Sequence, residues 1–160
     1  MTVLITQEYA SEFATLNSLW AAARQRRFVP KDVHVFTPDA TTDRARRLVD
    51  QIGVALQALG VEKPVIHLVP VKIDDFAAIR NEALRLIKKA QMEARKVAVD
   101  VTPGRTVAKL ALFDAARSGR PDHVFYLDVA GYDYRDLPYP LVPARIQRAR
   151  DLSEEGLADD

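Results

Sequence analysis

The stretch Lys96-Val-Ala-Val-Asp-Val-Thr-Pro-Gly-Arg105, running on into Thr106-Val-Ala-Lys-Leu-Ala-Leu112, decides the fold. Val97 to Val101 is a short β-branched run, which reads as a strand. Thr102-Pro103-Gly104 is a tight turn. From Arg105 the apolar residues change to helical spacing, with Val107, Leu110, Ala111 and Ala115 on one face and Asp114 facing out. A strand that ends in small residues and opens a helix gathers unpaired backbone N–H groups and the positive end of the helix dipole at one point. Such a point suits phosphate, and Arg105 adds a cation that can bind two oxygens at once. Taken alone, the stretch reads equally well as an ordinary turn between strand and helix.

Working outward, the same unit recurs. Thr2 to Thr6 is a short apolar strand at the start, and Gln7 to Ser11 is a polar connection whose Ser11 caps a helix reaching about Arg27. That helix buries Phe13, Leu16, Leu19 or Trp20, and Ala23. Val33 to Phe36 is a second strand, followed by a helix with Ala45, Leu48, Val49, Ile52, Leu56 and Leu59 on one face and Gly60 as its stop. Val65 to Val71, rich in β-branched residues, is expected to be a central or near-central strand. Ile73-Asp-Asp75 then opens the longest helix, with Phe76, Ile79, Ala83, Leu86, Ile87 and Ala90 in phase. Beyond the deciding stretch, Gly119-Arg-Pro121 ends a helix and His123 to Val129 is a fifth strand. Tyr132 to Pro140 is expected to hold a short edge strand, Ala144 to Leu152 a terminal helix, and Ser153 to Asp160 a frayed acidic tail. The chain therefore divides into a domain over 1–145 and a C-terminal helix and tail over 146–160.

Four alternations of strand and helix call for a Rossmann-like α/β fold: a parallel sheet of five to six strands with helices on both faces. Right-handed crossovers leave few arrangements, and the usual one sets the first and fourth strands side by side where the winding reverses. Ligands bind outside the carboxyl ends of strands at that switch point. The loops Gln7–Ser11 and Thr102–Arg105 converge there, which tips the deciding stretch from ordinary turn to site.

Composition removes several classes of function. Lys plus Arg (23) nearly balances Asp plus Glu (22), unlike a protein that coats long nucleic acid through excess positive charge. No cysteine is present, so thiolate catalysis and disulfide frameworks are out. His34, His67 and His123 are scattered, and none has a partner at metal-ligand spacing along the sequence, so neither metal nor cofactor is expected. His67, inside an apolar strand, reads as a core residue. Asp39, Asp43, Asp74 and Asp75 read as helix caps, and Tyr132, Tyr134 and Tyr139 as packing that could also stack on bases. No dinucleotide fingerprint, P-loop or nucleophile elbow is present. No signal peptide or membrane span is legible, and cytoplasm is the default location.

Over residues 1–145 the chain resembles the CRISPR-associated Rossmann-fold, or CARF, domains. The resemblance is carried by Val3-Leu-Ile-Thr6, Val69-Pro-Val71, Asp100-Val-Thr-Pro-Gly-Arg105 and Pro138-Tyr-Pro-Leu-Val-Pro143, of which only the Asp-x-Thr-x-Gly segment is specific. It implies a homodimer that binds a cyclic oligoadenylate, most often cyclic tetra-adenylate, the messenger of type III CRISPR antiviral defence. With residues 146–160 as the only remainder, this chain is expected to encode no effector domain. A ring of four adenylates has two-fold symmetry, which suits two copies of one pocket across an isologous interface. Thr102, Pro103, Gly104, Arg105 and Thr106 are then expected to hold phosphate, and Thr6, Gln7 and Ser11 ribose or adenine. Some members resemble ring nucleases, which cleave the messenger by attack of a ribose 2′-hydroxyl on its own phosphodiester. That reaction needs only in-line geometry and charge stabilisation, with Arg105 as stabiliser and Ser11 as positioning group. Ring nucleases are similar in carrying Lys directly after the Gly-Arg pair, where this chain has Thr106; Lys109 lies one turn on. The alternatives are a non-catalytic sensor separated from its effector and an unrelated Rossmann-like protein binding a small molecule.

Overall fold

Apolar strands alternate with amphipathic helices in the order β1 (Thr2–Gln7), α1 (Glu12–Arg26), β2 (Asp32–Thr37), α2 (Asp43–Ala58), β3 (Val65–Pro70), α3 (Phe76–Met92), β4 (Lys96–Asp100) and α4 (Thr106–Gly119). Next come β5 (His123–Val129), three short 3-10 turns and β6 (Gln147–Asp151). The computed structural model describes residues 1–134 and 136–156. The strands lie in the order β3-β2-β1-β4-β5-β6. The first five run parallel and β6 pairs antiparallel with β5. The expected Rossmann-like sheet is therefore present, with β1 beside β4 at the reversal of winding.

Alternation along the strands divides the core into two layers. Val3, Ile5, Val97, Val99 and Val101 pack against α3 and α4 through Ile79, Ala83, Ile87, Ala111 and Leu112. Leu4, Val33, Val35 and Ala98 face the other way, onto Leu19 of α1 and Leu48, Ile52 and Leu56 of α2. Ile5, Leu56 and Leu112 are completely buried, and each such side chain stabilises the fold by roughly 1.5–3 kcal/mol. Thr42 caps α2 by accepting from the Ala45 N–H, and Asp75 caps α3 by accepting from the Ala78 N–H. Asp39 instead closes a local turn onto Thr41.

Several expectations are corrected. β3 is the edge strand, with Val65 and His67 exposed; β-branched residues suit any half-buried pleated surface and do not by themselves mark a centre. On α4 the buried face is Ala108, Ala111, Leu112, Ala115 and Ala116, while Val107 and Leu110 are exposed at 40% and 56%. Both faces satisfy helical spacing, and the alanine seam prevails because small side chains let α4 lie close on α3 and the sheet. Phe76, at the start of α3, is likewise exposed. Where a short edge strand is expected, Tyr132–Tyr134 and Tyr139–Leu141 form 3-10 turns, and residue 135 lies outside the described residues.

The terminal helix is replaced by β6, in which Gln147, Ala149 and Asp151 are buried and alternate with more exposed arginines. That period-2 pattern fits the open edge of β5, and the domain therefore continues past residue 145. Gln25 and Arg26 of α1 cover the outer edge of β6: the Ala149 N–H donates to Gln25 Oε1 (2.8 Å) and Arg26 Nε donates to the Ala149 carbonyl (2.8 Å). Of the expected acidic tail, Glu154 pairs with Arg26 at 3.0 Å and Glu155 pairs with Arg150. Residues 157–160 lie outside the described residues.

Candidate ligand site at the ends of β1 and β4

The pairing of β1 with β4 brings the two loops together at the carboxyl edge of the sheet. Asp100, the last residue of β4, is the joint between them. Its Oδ2 accepts from Thr6 Oγ1 (2.9 Å) and Ser18 Oγ (2.5 Å), and its Oδ1 accepts from the Thr102 N–H (2.9 Å). Complete burial pushes the Asp100 carboxyl above its ordinary range, opposed by the hydrogen bonds from Ser18, Thr102 and Thr6. One side chain thus fixes the end of β1, the second turn of α1 and the turn after β4. Thr102 extends the joint to β5 by accepting from the Leu127 N–H (2.8 Å).

Gly104 is required by its surroundings. Its φ is +101°, and a Cβ there would sit 2.0 Å from Gln7 Cδ. The absence of a side chain lets the turn close directly over Gln7, which is buried. Gln7 Nε2 is also buried and has no hydrogen-bond partner among the described residues. An orphaned amide donor at a helix entrance is costly unless it serves something that binds there. Thr15 Oγ1 donates to the Gln7 carbonyl (2.9 Å) and so holds β1 to α1.

Beside this junction lies an open cleft of about 620 Å³. Ser11 and Thr102 line it, together with Tyr9, Asn17, Lys109, Tyr126, Asp128, Tyr134 and Asp136. Ser11 is the N-cap of α1 but makes no side-chain capping bond, so its hydroxyl is not used by the helix. Pro103 and Gly104 are buried beneath the turn, whereas Arg105 and Thr106 are exposed at the start of α4. Arg105 is the N-cap of α4 and makes no side-chain cap bond. The structure thus brings Ser11 and Thr102 to the cleft, whereas Arg105 and Thr106 stand exposed at the start of α4 and do not line it. Thr6 points inward to Asp100, and Gln7 lies under Gly104.

Lys109 lies four residues beyond Arg105 and faces the cleft, as helical spacing places it. Tyr9, Asn17, Tyr126, Asp128 and Asp136 were not legible as site residues. Tyr126 and Asp128 are two apart and share one face of β5, but nothing in the sequence assigns that face to the cleft. Tyr134 lines the cleft, while Tyr139 lies near Gln25, whose Nε2 donates to its hydroxyl at 3.2 Å. The combination suits a nucleotide: tyrosines offer ring faces to bases, the carboxylates accept from amino or hydroxyl groups, and Lys109 with the α4 entrance carries the positive charge.

No family model and no curated protein matches the chain, but solved structures match its fold. Can2 from Sulfobacillus thermosulfidooxidans, solved with cyclic tetra-adenylate, has a TM-score of 0.58 at 16% identity over 80% of this chain and 32% of its own. Csm6 from Enterococcus italicus, bound to cyclic hexa-2′-fluoro-hexa-dAMP, has a TM-score of 0.62 at 12% identity over 97% of this chain and 43% of its own. A type III CRISPR defence DNA nuclease activated by cyclic oligoadenylate has a TM-score of 0.57 at 19% identity, covering 79% and 18%. This chain spans less than half the length of each of them. At such identities the likeness is one of fold alone: a Rossmann-like sheet shared with these proteins.

Proposed function

We propose that this chain binds a cyclic oligoadenylate, cyclic tetra-adenylate foremost, at the carboxyl ends of β1 and β4 across a homodimer. The observation that carries the reading is the junction itself. A glycine that admits no side chain and a buried, unpartnered Gln7 amide meet at the entrance of a helix, beside a tyrosine-lined cleft. Backbone N–H groups at the α4 entrance and the Arg105 guanidinium suit a phosphodiester, while the cleft suits a base and its ribose. Two structures of like fold hold cyclic oligoadenylates or an analogue, which supports the ligand class. Val107 and Leu110 are exposed on α4, next to Arg105 and Thr106. A second copy covering that face would put two α4 entrances near a two-fold axis, the symmetry of a four-membered ring.

The chemistry available at this site is positioning and charge stabilisation. Attack of a 2′-hydroxyl on the adjacent phosphodiester needs an in-line arrangement and a cation near the equatorial oxygens. In this reading Ser11 orients the ribose and Arg105 stabilises the charge. The test is mass spectrometry of cyclic tetra-adenylate incubated with stoichiometric protein in EDTA, with recovery of the bound fraction. An intact ring retained on the protein supports a sensor, and linear di-adenylates ending in cyclic phosphate support a metal-independent ring nuclease. A ring neither retained nor cut overturns the proposal.

A further inference from the structure

We propose that Asp32, His34 and His67 form a binding site for a divalent first-row transition ion of the zinc class. The site lies under α3 near the start of β2 and β3, and it shares no lining residue with the cleft at the opposite end of the sheet. Parallel pairing sets His34 directly beside His67. Asp32, two residues before His34, falls on the same face of the strand. The two imidazole rings stack with centroids 4.6 Å apart and planes at 13°. Asp32 Oδ1 lies 3.2 Å from His67 Nε2 and 3.6 Å from His34 Nε2. One ligand atom from each residue lies within 4.8 Å of the other two. Donors bound tetrahedrally to zinc at about 2.0–2.2 Å stand roughly 3.3–3.6 Å apart, so both carboxylate–imidazole spacings fit one ion.

The carboxylate points to the same conclusion independently. Asp32 is 6% exposed, and its Oδ1 is buried without a hydrogen-bond partner among the described residues. Its other oxygen, Oδ2, is held by Arg95 Nη2 at 2.6 Å. Arg95 thereby holds the carboxylate and leaves Oδ1 beside the two imidazole nitrogens, as an outer-shell partner does for a ligating group.

A cavity of about 270 Å³ opens over the cluster and leaves room for water at the remaining coordination positions. His67, 48% exposed at its side chain, forms the mouth and can tilt its ring so that both lone pairs reach one ion. The Arg95, Arg85 and Lys89 charges around the cavity oppose a dication, and Glu82, held by Arg85 at 2.6 Å, offsets them only in part. Two imidazoles with one carboxylate favour zinc-like ions over magnesium or calcium, which prefer all-oxygen sites.

The test uses untagged full-length protein, stripped with chelator and dialysed against graded Zn2+, with bound metal counted by mass spectrometry. One Zn2+ per chain is expected, weakened at least tenfold by His67→Ala and by Asp32→Asn and unchanged by His123→Ala. His67 is half exposed, so its variant keeps the fold, which circular dichroism checks. Co2+ substituted into the wild type should give the intense visible bands of a four- or five-coordinate site. No retained zinc overturns the proposal, as do zinc bound equally by the His67 and Asp32 variants or Mg2+ bound as tightly as zinc. Each of these outcomes is independent of what the cleft binds.

Discussion

Gly104→Ala tests the close approach on which the ligand site depends. A non-glycine residue at φ +101° costs about 1–2 kcal/mol in backbone strain. The added Cβ would also lie 2.0 Å from Gln7 Cδ and 2.1 Å from its Oε1. Gln7 would have to leave a site where it is 1% exposed, and such overpacking costs roughly a further 1–3 kcal/mol. The substitution should therefore destabilise the protein by about 2–5 kcal/mol. Urea unfolding followed by the fluorescence of Trp20, the single tryptophan of the chain, measures it. In a Gln7→Ala background the collision is gone, and the same substitution should cost only the backbone share, about 1–2 kcal/mol. Equal costs in the two backgrounds would refute the packing of Gly104 on Gln7. A cost below about 0.5 kcal/mol in the wild type would refute the strained turn as well.

Arg105→Ala should weaken binding of cyclic tetra-adenylate by roughly 1.5–3 kcal/mol without unfolding the protein, read by calorimetry; unchanged affinity removes Arg105 from the site. Ser11→Ala should reduce any cleavage more than affinity, and equal losses would leave it a binding group only. Asp100→Ala strands the Thr6 and Ser18 hydroxyls and the Thr102 N–H in a fully buried place. It should cost about 2–5 kcal/mol in urea, and a loss under about 1 kcal/mol would mean the joint is dispensable. For His34, the folded value of about 4 lies below the ordinary 6.5, so the unfolded chain takes up its proton first as the pH falls. The stability that depends on neutral His34 is complete above pH 6.5 and lost progressively towards pH 4. Metal-free protein should show a His34 imidazole NMR signal titrating near 4, and a midpoint near 6.5 would refute this.

The layout of the sheet was legible because it rests on strong local signals. The β-branched run Val97 to Val101, the glycine after Pro103 and the switch to helical spacing each point to strand, turn and helix, and right-handed crossovers do the rest. What sequence could not supply was the choice between equivalent patterns. Val107 and Leu110 fit a helical face as well as Ala108 and Leu112 do, and only the packing against α3 selects between them. Residues 147–151 carry no glycine or proline and mix arginine with alanine, so nothing local forbids a helix; the unpaired edge of β5 makes them a strand. The cleft was partly legible, since Ser11 and Thr102 follow from topology. Tyr9, Asn17, Tyr126 and Asp136 come from four separate segments and meet only in three dimensions. The histidines illustrate the same limit. Asp32 and His34 are two apart on a strand, a spacing that puts both on one face, but the third member stands 33 positions further on, at His67, and is supplied by sheet register.

Asp100 ties three segments together before any ligand arrives, and this bears on how binding would be felt elsewhere. A pocket whose loops are already fastened to one another loses little further freedom when it is filled. It also has little capacity to signal by folding a loop over its guest. In a dimer built from such units, the element left to move is the placement of one protomer against the other, as in rigid-body switching. A stiff joint at the end of β4 would therefore act as a lever arm, turning a small change where α4 begins into a larger displacement wherever a second chain leans on it.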